Sequence, residues 1–156
     1  MRTEKLPAPS PAAPPPSGPR DPHPSEQDFV LHLRAYENSS VVARRLTRLA
    51  LDLWNWQGDR DAPLTVMAEL FANACRAAPG QPVRLRVAWT SGGVRLECHD
   101  PAPHHPPDPS LPDDLSETGR GRYLIAALSA RHGIIPAPAP VPGKTLWAVL
   151  PHRAGA

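Results

Sequence analysis

The sequence contains little cysteine and lacks any long apolar run. Its two cysteines, Cys75 and Cys98, argue against a disulfide framework and fit a reducing cytoplasm. No apolar stretch approaches the roughly 20 residues of a membrane span, and the N-terminus lacks the apolar core of a secretory signal. We therefore expect a soluble, cytoplasmic protein.

A strong net charge is also missing. The formal net charge of +2 is close to neutral, so it predicts no strong attraction to nucleic acid or to an anionic membrane. The basic residues are nearly all arginine, with Lys5 and Lys144 as the only lysines. A chain of 156 residues is long enough for one domain with a real core and too short for two of ordinary size.

Proline, by contrast, is abundant. Residues 1–26 are rich in proline, alanine and serine. The prolines have no amide donor, and the segment has too little apolar surface to form a packed element. We predict a disordered tail with polyproline II character over 1–26 and one folded domain over 27–152. A binding role for the proline-rich tail is the less favoured alternative.

From Phe29 onward the hydrophobic spacing predicts regular elements. The predicted elements are a strand over 29–33, a helix capped by Ser39 or Ser40, a helix from about Pro63 to Pro79, a hairpin over 83–99, a helix opened by Thr118 and stopped by Gly133, and a strand over 145–150. The segment from Pro101 to Leu115 is a long proline-rich loop, of the kind that often covers a site.

The first predicted helix has two distinct faces. Its apolar residues at helical spacing are expected to face the core: Val42, Leu46, Leu49, Ala50 and Leu53. Arg44, Arg45 and Arg48 fall on the other side. This side is either a basic surface for an acidic partner or nucleic acid, or an ordinary solvated face, which we favour because no aromatic residues are interleaved.

Glu69 and Asn73 lie four residues apart and therefore on the same side of the second helix, opposite its apolar stripe. A carboxylate there can accept a proton from an attacking hydroxyl, and an amide oxygen can ligate Mg²⁺ beside phosphates. An ordinary polar helix face is the alternative. Val66 and Leu70 beside the pair favour a cavity wall.

Gly119-Arg120-Gly121 at a helix start is the best candidate for a phosphate cradle. Without β-carbons the backbone can approach an anion closely, and the free amides of the helix start face it. A plain helix cap is the alternative explanation for the glycines. Arg122 either adds a phosphate contact or points to solvent.

Two other patterns are weaker. Gly143-Lys144-Thr145 does not complete a P-loop, because position 138 is Pro138 and a strand follows. A group of candidate metal ligands lacks the spacing of a structural zinc site, and we favour a polar loop without metal. That group comprises Cys98, His99, His104, His105 and Asp108.

The order of these motifs resembles the GHKL-type ATP-binding domain, and within it the small anti-sigma-factor serine/threonine kinases. The resembling residues are Glu69 and Asn73 on a helix, Asp100 at a strand end, the 119–121 glycine turn and Gly143-Lys144-Thr145 before the last strand. The resemblance covers about residues 40–150. It implies an α/β two-layer sandwich, in which a mixed, mostly antiparallel sheet is covered on one face by three helices.

The resemblance also implies a role for each matching residue. Glu69 would be the catalytic base and Asn73 the Mg²⁺ ligand, while Asp100 would accept a hydrogen bond from the adenine amine. The remaining nucleotide contacts would come from Arg76, Thr118, Gly119, Arg120, Gly121 and, through solvent, the Thr145 hydroxyl. The chain departs from the family pattern at Pro101-Ala102-Pro103, where relatives have glycines, and at Ala77, where many have histidine.

The implied activity is Mg-ATP-dependent phosphorylation of a serine on an anti-anti-sigma partner, which controls the release of a sigma factor. The runner-up is a module of the same fold that uses ATP occupancy as a binding switch without phosphoryl transfer. A third, less favoured class is an ATP-driven hydrolase or the ATPase part of a two-component sensor. We expect no direct contact with nucleic acid or membrane, and a homodimer stays open.

Overall fold

The structure is a computed structural model that describes residues 28–104 and 117–152, with side chains in the last helix described from Arg120 onward. The predicted tail over 1–26 and the predicted loop from residue 105 onward therefore lie outside the described residues. Within the described ranges, every helix is too short or too polar to cross a lipid bilayer.

Five strands and three helices form the described domain, and a short 3-10 turn precedes the first helix. Along the chain they are β1 (Phe29–Arg34), α1 (Ser40–Leu53), α2 (Asp61–Ala77), β2 (Pro82–Thr90), β3 (Gly93–Asp100), α3 (Glu117–Leu128), β4 (Arg131–Pro136) and β5 (Lys144–Leu150). The sheet order is β1-β2-β3-β5-β4, and each neighbouring pair of these strands is antiparallel. The α/β sandwich predicted from the sequence is confirmed.

Helix α2 is the centre of the domain. The backbone amides of Asp61 and Ala62 donate to Oδ1 of Asp59 at 2.8 and 3.3 Å, which satisfies two free donors at the helix start. The helix packs on β3 and contacts both α1 and α3. Its predicted apolar stripe is buried except for the half-buried Leu64, and so are Val66 and Leu70 beside the Glu69/Asn73 pair. The buried members of the stripe are Met67, Ala68, Phe71, Ala74, Cys75 and Ala78. Burial on both sides fixes the position of that pair.

Helix α1 faces the core with a different side from the one predicted. Its buried residues are Ala43, Thr47, Ala50 and Leu51, whereas Val42, Leu49 and Leu53 are exposed. The small side chains allow α1 to approach its neighbours closely. The hydroxyl of Thr47 donates to the carbonyl of Ala43 at 3.0 Å, so its burial leaves no polar atom unpaired.

The sheet has one apolar face and one charged face. Leu85, Leu96 and Ala148 alternate inward to the helices. On the opposite face, Arg86 bonds Asp28 at 2.6 Å and Glu97 at 3.0 Å. Burial disfavours the charged guanidinium, but the bonds to these two carboxylates outweigh it and raise the pKa of Arg86. Glu97 also accepts from Arg95 at 2.6 Å.

Strand β4 is an addition to the predicted elements. Helix α3 ends at Leu128, so Gly133 does not stop it but lies within β4, opposite Trp147 of β5. The segment pairs only with β5 and is an edge strand of the described sheet. An edge position tolerates the glycine and the proline that hid this strand in the sequence.

Candidate functional site

A cavity of about 420 Å³ opens between α2, α3 and the strands β4 and β5. The α2 residues in its wall are Leu70, Asn73 and Ala77, and the α3 residues are Arg122 and Ile125. The remaining walls comprise Pro103, His104, His132, Gly133, Ile134, Lys144, Leu146 and Trp147. The charged side chains among these lining residues, Arg122 and Lys144, are cationic, so this cavity suits an anionic ligand.

Helix α2 presents its polar residues on the cavity side. Asn73 lines the cavity, and the half-buried Glu69 lies one turn before it. The guanidinium of Arg76 donates to Oδ1 of Asn73 at 3.4 Å. The three residues predicted from α2 are therefore neighbours, with Arg76 on the exposed rim. An amide oxygen held in this way is a suitable ligand for Mg²⁺.

The glycine turn of α3 packs directly against Glu69. A β-carbon at Gly121 would lie 2.5 Å from Oε2 of Glu69 and 3.8 Å from Nη2 of Arg76. A side chain at this position would require the carboxylate end of Glu69 to move, so α3 lies close to this carboxylate. Thr118 and Gly119 lie in the first turn of α3, and their side chains are outside the described set.

The two arginines in this turn differ in position. Both Arg120 and Arg122 are exposed, but only Arg122 is among the residues that line the cavity. Arg122 is therefore both open to solvent and next to the cavity, so both alternatives for its side chain stay open. The N-terminal end of an α-helix and a guanidinium are both suited to phosphate groups.

Asp100 ends β3 and is almost completely buried, with 1 % of its surface exposed. Its Oδ1 accepts hydrogen bonds from the Ala102 amide at 2.9 Å and from Nζ of Lys144 at 3.0 Å. Lys144 also donates to the Ala102 carbonyl at 3.4 Å. Gly143 allows β5 to begin here, because its φ of +106° suits glycine and a β-carbon would collide with the Asp100 carbonyl.

Thr145 faces away from this site. Its hydroxyl is hydrogen-bonded to Nδ1 of His99 at 3.1 Å and lines a separate cavity of about 380 Å³. The inward residues of β5 are Leu146, Ala148 and Leu150, so the strand alternation points Lys144, not Thr145, to the helix side. This placement corrects the expectation that Thr145 approaches the adenine site. The alternation of apolar residues along β5 is also visible in the sequence, and it is the signal that could have identified Lys144 as the residue on the helix side.

The two cysteines are packed residues. Burial raises the pKa of Cys75, and burial together with the charge of Asp100 raises the pKa of Cys98. Both thiols therefore stay protonated and unreactive near neutral pH. Within residues 28–104 and 117–152, no cluster of three or more His, Cys, Asp or Glu side chains is arranged to hold a metal ion. His105 and Asp108 lie outside these ranges.

A comparison with protein families identifies the kind of domain. A family model described as a histidine kinase-like ATPase domain matches residues 36–149, a range that contains all three helices, strands β2 to β4 and all but the last residue of β5. A search among curated proteins gave no match to this chain. The family match implies that the domain binds ATP, which agrees with the cationic cavity and the glycine approach to Glu69. The chain belongs to the family of histidine kinase-like ATPase domains, and its domain is of the GHKL type.

Proposed function

We propose that this protein is a serine/threonine protein kinase of the anti-sigma-factor type, which uses Mg-ATP to phosphorylate an anti-anti-sigma partner. The observation that supports it best is the cavity lined by Asn73 and Arg122, with the half-buried Glu69 carboxylate one helical turn from Asn73. This arrangement places a proton acceptor next to the residues suited to phosphates.

In this proposal each residue has one task. Asn73 ligates Mg²⁺, while the amides at the start of α3 and the guanidinium of Arg122 bind phosphate oxygens. Bound Mg-ATP supplies the phosphoryl group. Glu69, which is half-buried one helical turn before Asn73, accepts the proton of the partner's serine hydroxyl.

The alternative is a switch of the same fold in which ATP occupancy controls partner binding without phosphoryl transfer. The observation that favours it is the packing of Glu69 against Gly121, because a carboxylate used to position α3 is less free to act as a base. A sigma factor or an anti-anti-sigma protein is the expected partner in both cases.

Capture experiments in the native cell separate the two. The full chain is used as bait with and without Mg-ATP, and phosphosites are mapped on the bound protein, with Glu69→Gln as the matched control. A kinase gives a partner phosphorylated on serine or threonine with the native chain and not with the variant. A switch gives ATP-dependent capture of an unmodified partner with both chains, and a partner indifferent to ATP contradicts both proposals.

A further inference from the structure

Where β3 ends and β5 begins, the polar group that faces the cavity is the ammonium of Lys144 and not the carboxylate of Asp100. Lys144 is among the lining residues, whereas Asp100 is not among the described residues that line the cavity. The side chains of Asp100 and Lys144 are 2 % and 12 % exposed, and their ion pair measures 3.0 Å. Lys144 thus covers the carboxylate that the family resemblance assigns to adenine.

This ion pair is expected to persist when a nucleotide binds. Removing the ammonium would leave the Asp100 carboxylate buried with one remaining described hydrogen bond, from the Ala102 amide. A buried charge without its partner is strongly unfavourable. Lys144 also donates to the Ala102 carbonyl, and its side chain lines the cavity, so its ammonium can face a ligand there.

An ammonium only donates hydrogen bonds, and this determines which base edges it can meet. The exocyclic amine of adenine is itself a donor, so it pairs with a free carboxylate and not with Lys144. Acceptors suit Lys144, and both purines have them: the ring nitrogens of adenine, and O6 and N7 of guanine. A site that presents a donor therefore loses the basis for rejecting guanine.

We infer that Lys144 is the base-reading residue of this site and that the domain accepts guanine nucleotides about as well as adenine nucleotides. This inference rests on the proposed function, because it requires that the cavity binds a purine nucleotide. It reassigns Asp100 from a direct contact with adenine to a residue that positions Lys144.

The first test uses the full native chain and three Mg-nucleotides: ATP, GTP and purine riboside triphosphate, which lacks the exocyclic amine. Isothermal calorimetry should give dissociation constants that agree within about threefold. If the exocyclic amine of adenine makes no hydrogen bond to Asp100, nucleotides that lack this amine lose no affinity. A preference of about tenfold or more for ATP over both analogues would overturn the inference and leave the proposed function standing. Absence of binding by all three would overturn both.

The second test changes Lys144 itself. Lys144→Met keeps the length of the side chain and removes the donor, so Asp100 becomes available and preference for ATP over GTP should rise to about tenfold or more. Lys144→Arg keeps a donor and should bind both nucleotides as the native chain does. The double variant Lys144→Met/Asp100→Asn should lose the new preference. Unchanged selectivity in a folded Lys144→Met protein would overturn the inference. If that variant does not fold, the comparison of the three nucleotides on the native chain is the deciding test.

Discussion

The α-carbon of Gly121 in α3 faces the carboxylate of Glu69 in α2, so closely that a β-carbon there would lie 2.5 Å from Oε2. This contact joins the candidate base to the candidate phosphate cradle. A change at either residue should therefore alter the position of the other.

Gly121→Val tests this coupling. The added side chain must displace the carboxylate end of Glu69, which should lower the free energy of unfolding by about 1 kcal/mol and weaken binding of Mg-ATP. Urea unfolding and calorimetry measure the two effects. Ala126→Val, at an exposed position of the same helix, is the matched control and should bind nucleotide normally.

The double variant Glu69→Ala/Gly121→Val completes a thermodynamic cycle. Truncation of Glu69 makes room for the new side chain, so the two changes should show a coupling energy of about 0.5–3 kcal/mol. Strictly additive losses of unfolding free energy would mean that the side chains at positions 69 and 121 do not interact.

Glu69 and Asn73 should have separable effects on binding and transfer. Asn73→Ala removes the metal ligand and should weaken Mg-ATP binding by about tenfold or more, a loss that disappears when magnesium is omitted. Glu69→Gln keeps the shape of the side chain, so affinity should change little while phosphoryl transfer falls by about 10²–10⁴-fold. Calorimetry and a phosphorylation assay with the captured partner measure these effects. If both variants bind and react like the native chain, the pair is an ordinary polar surface.

The sequence predicted the main elements because their signals are local. The hairpin follows from strict alternation, and α2 from an apolar stripe ended by Pro79-Gly80. The buried face of α1 was predicted wrongly, because the spacing favoured large apolar residues. The helix buries the predicted Ala50 together with Ala43 and Thr47, which were not predicted and fit a close helix contact.

Part of the candidate site could be read from the sequence and part could not. The spacing of Glu69 and Asn73 places them on one side of α2 wherever the helix packs. The partner of Asp100 depends on which strand pairs with β3, and Lys144 is 44 residues away in the chain. The register that pairs Asp100 with Lys144 is a tertiary property. Strand β4 could not be predicted either, since its glycine and proline are unfavourable in an isolated strand.

The ion pairs on the open sheet face should contribute more to stability than those at the surface. Arg86 is bonded to Asp28 and Glu97, whose side chains are 9 % and 10 % exposed. Arg86→Met would leave both carboxylates without this guanidinium, and should lower the free energy of unfolding by about 2 kcal/mol.

Arg60→Met provides the matched control for that change. Arg60 pairs with Asp52 where the side chains are 42 % and 57 % exposed, so the loss should stay within about 0.5 kcal/mol. Urea unfolding of both variants at low and high salt measures the difference. Equal losses would show that burial does not strengthen the Arg86 pairs.

His99 should make stability depend on pH. Burial, followed by the charge of Arg84, lowers the pKa of His99 in the folded protein. In the window between this lowered pKa and the ordinary value of about 6.5, the unfolded chain binds more protons than the native one. The free energy of unfolding should therefore rise with pH through this window, and this contribution is lost as the pH falls.

Two variants attribute the effect to His99. His99→Gln keeps a polar partner for the Thr145 hydroxyl and removes the titration, so the dependence of unfolding free energy on pH between about 5 and 7 should flatten. Arg84→Gln removes the second cause of the lowered pKa and should flatten the dependence only in part, because burial remains. Urea unfolding at a series of pH values measures each slope. A slope in His99→Gln equal to that of the native chain would assign the pH dependence to other groups, and the open-face pair of His99 and Thr145 would then be a purely structural contact.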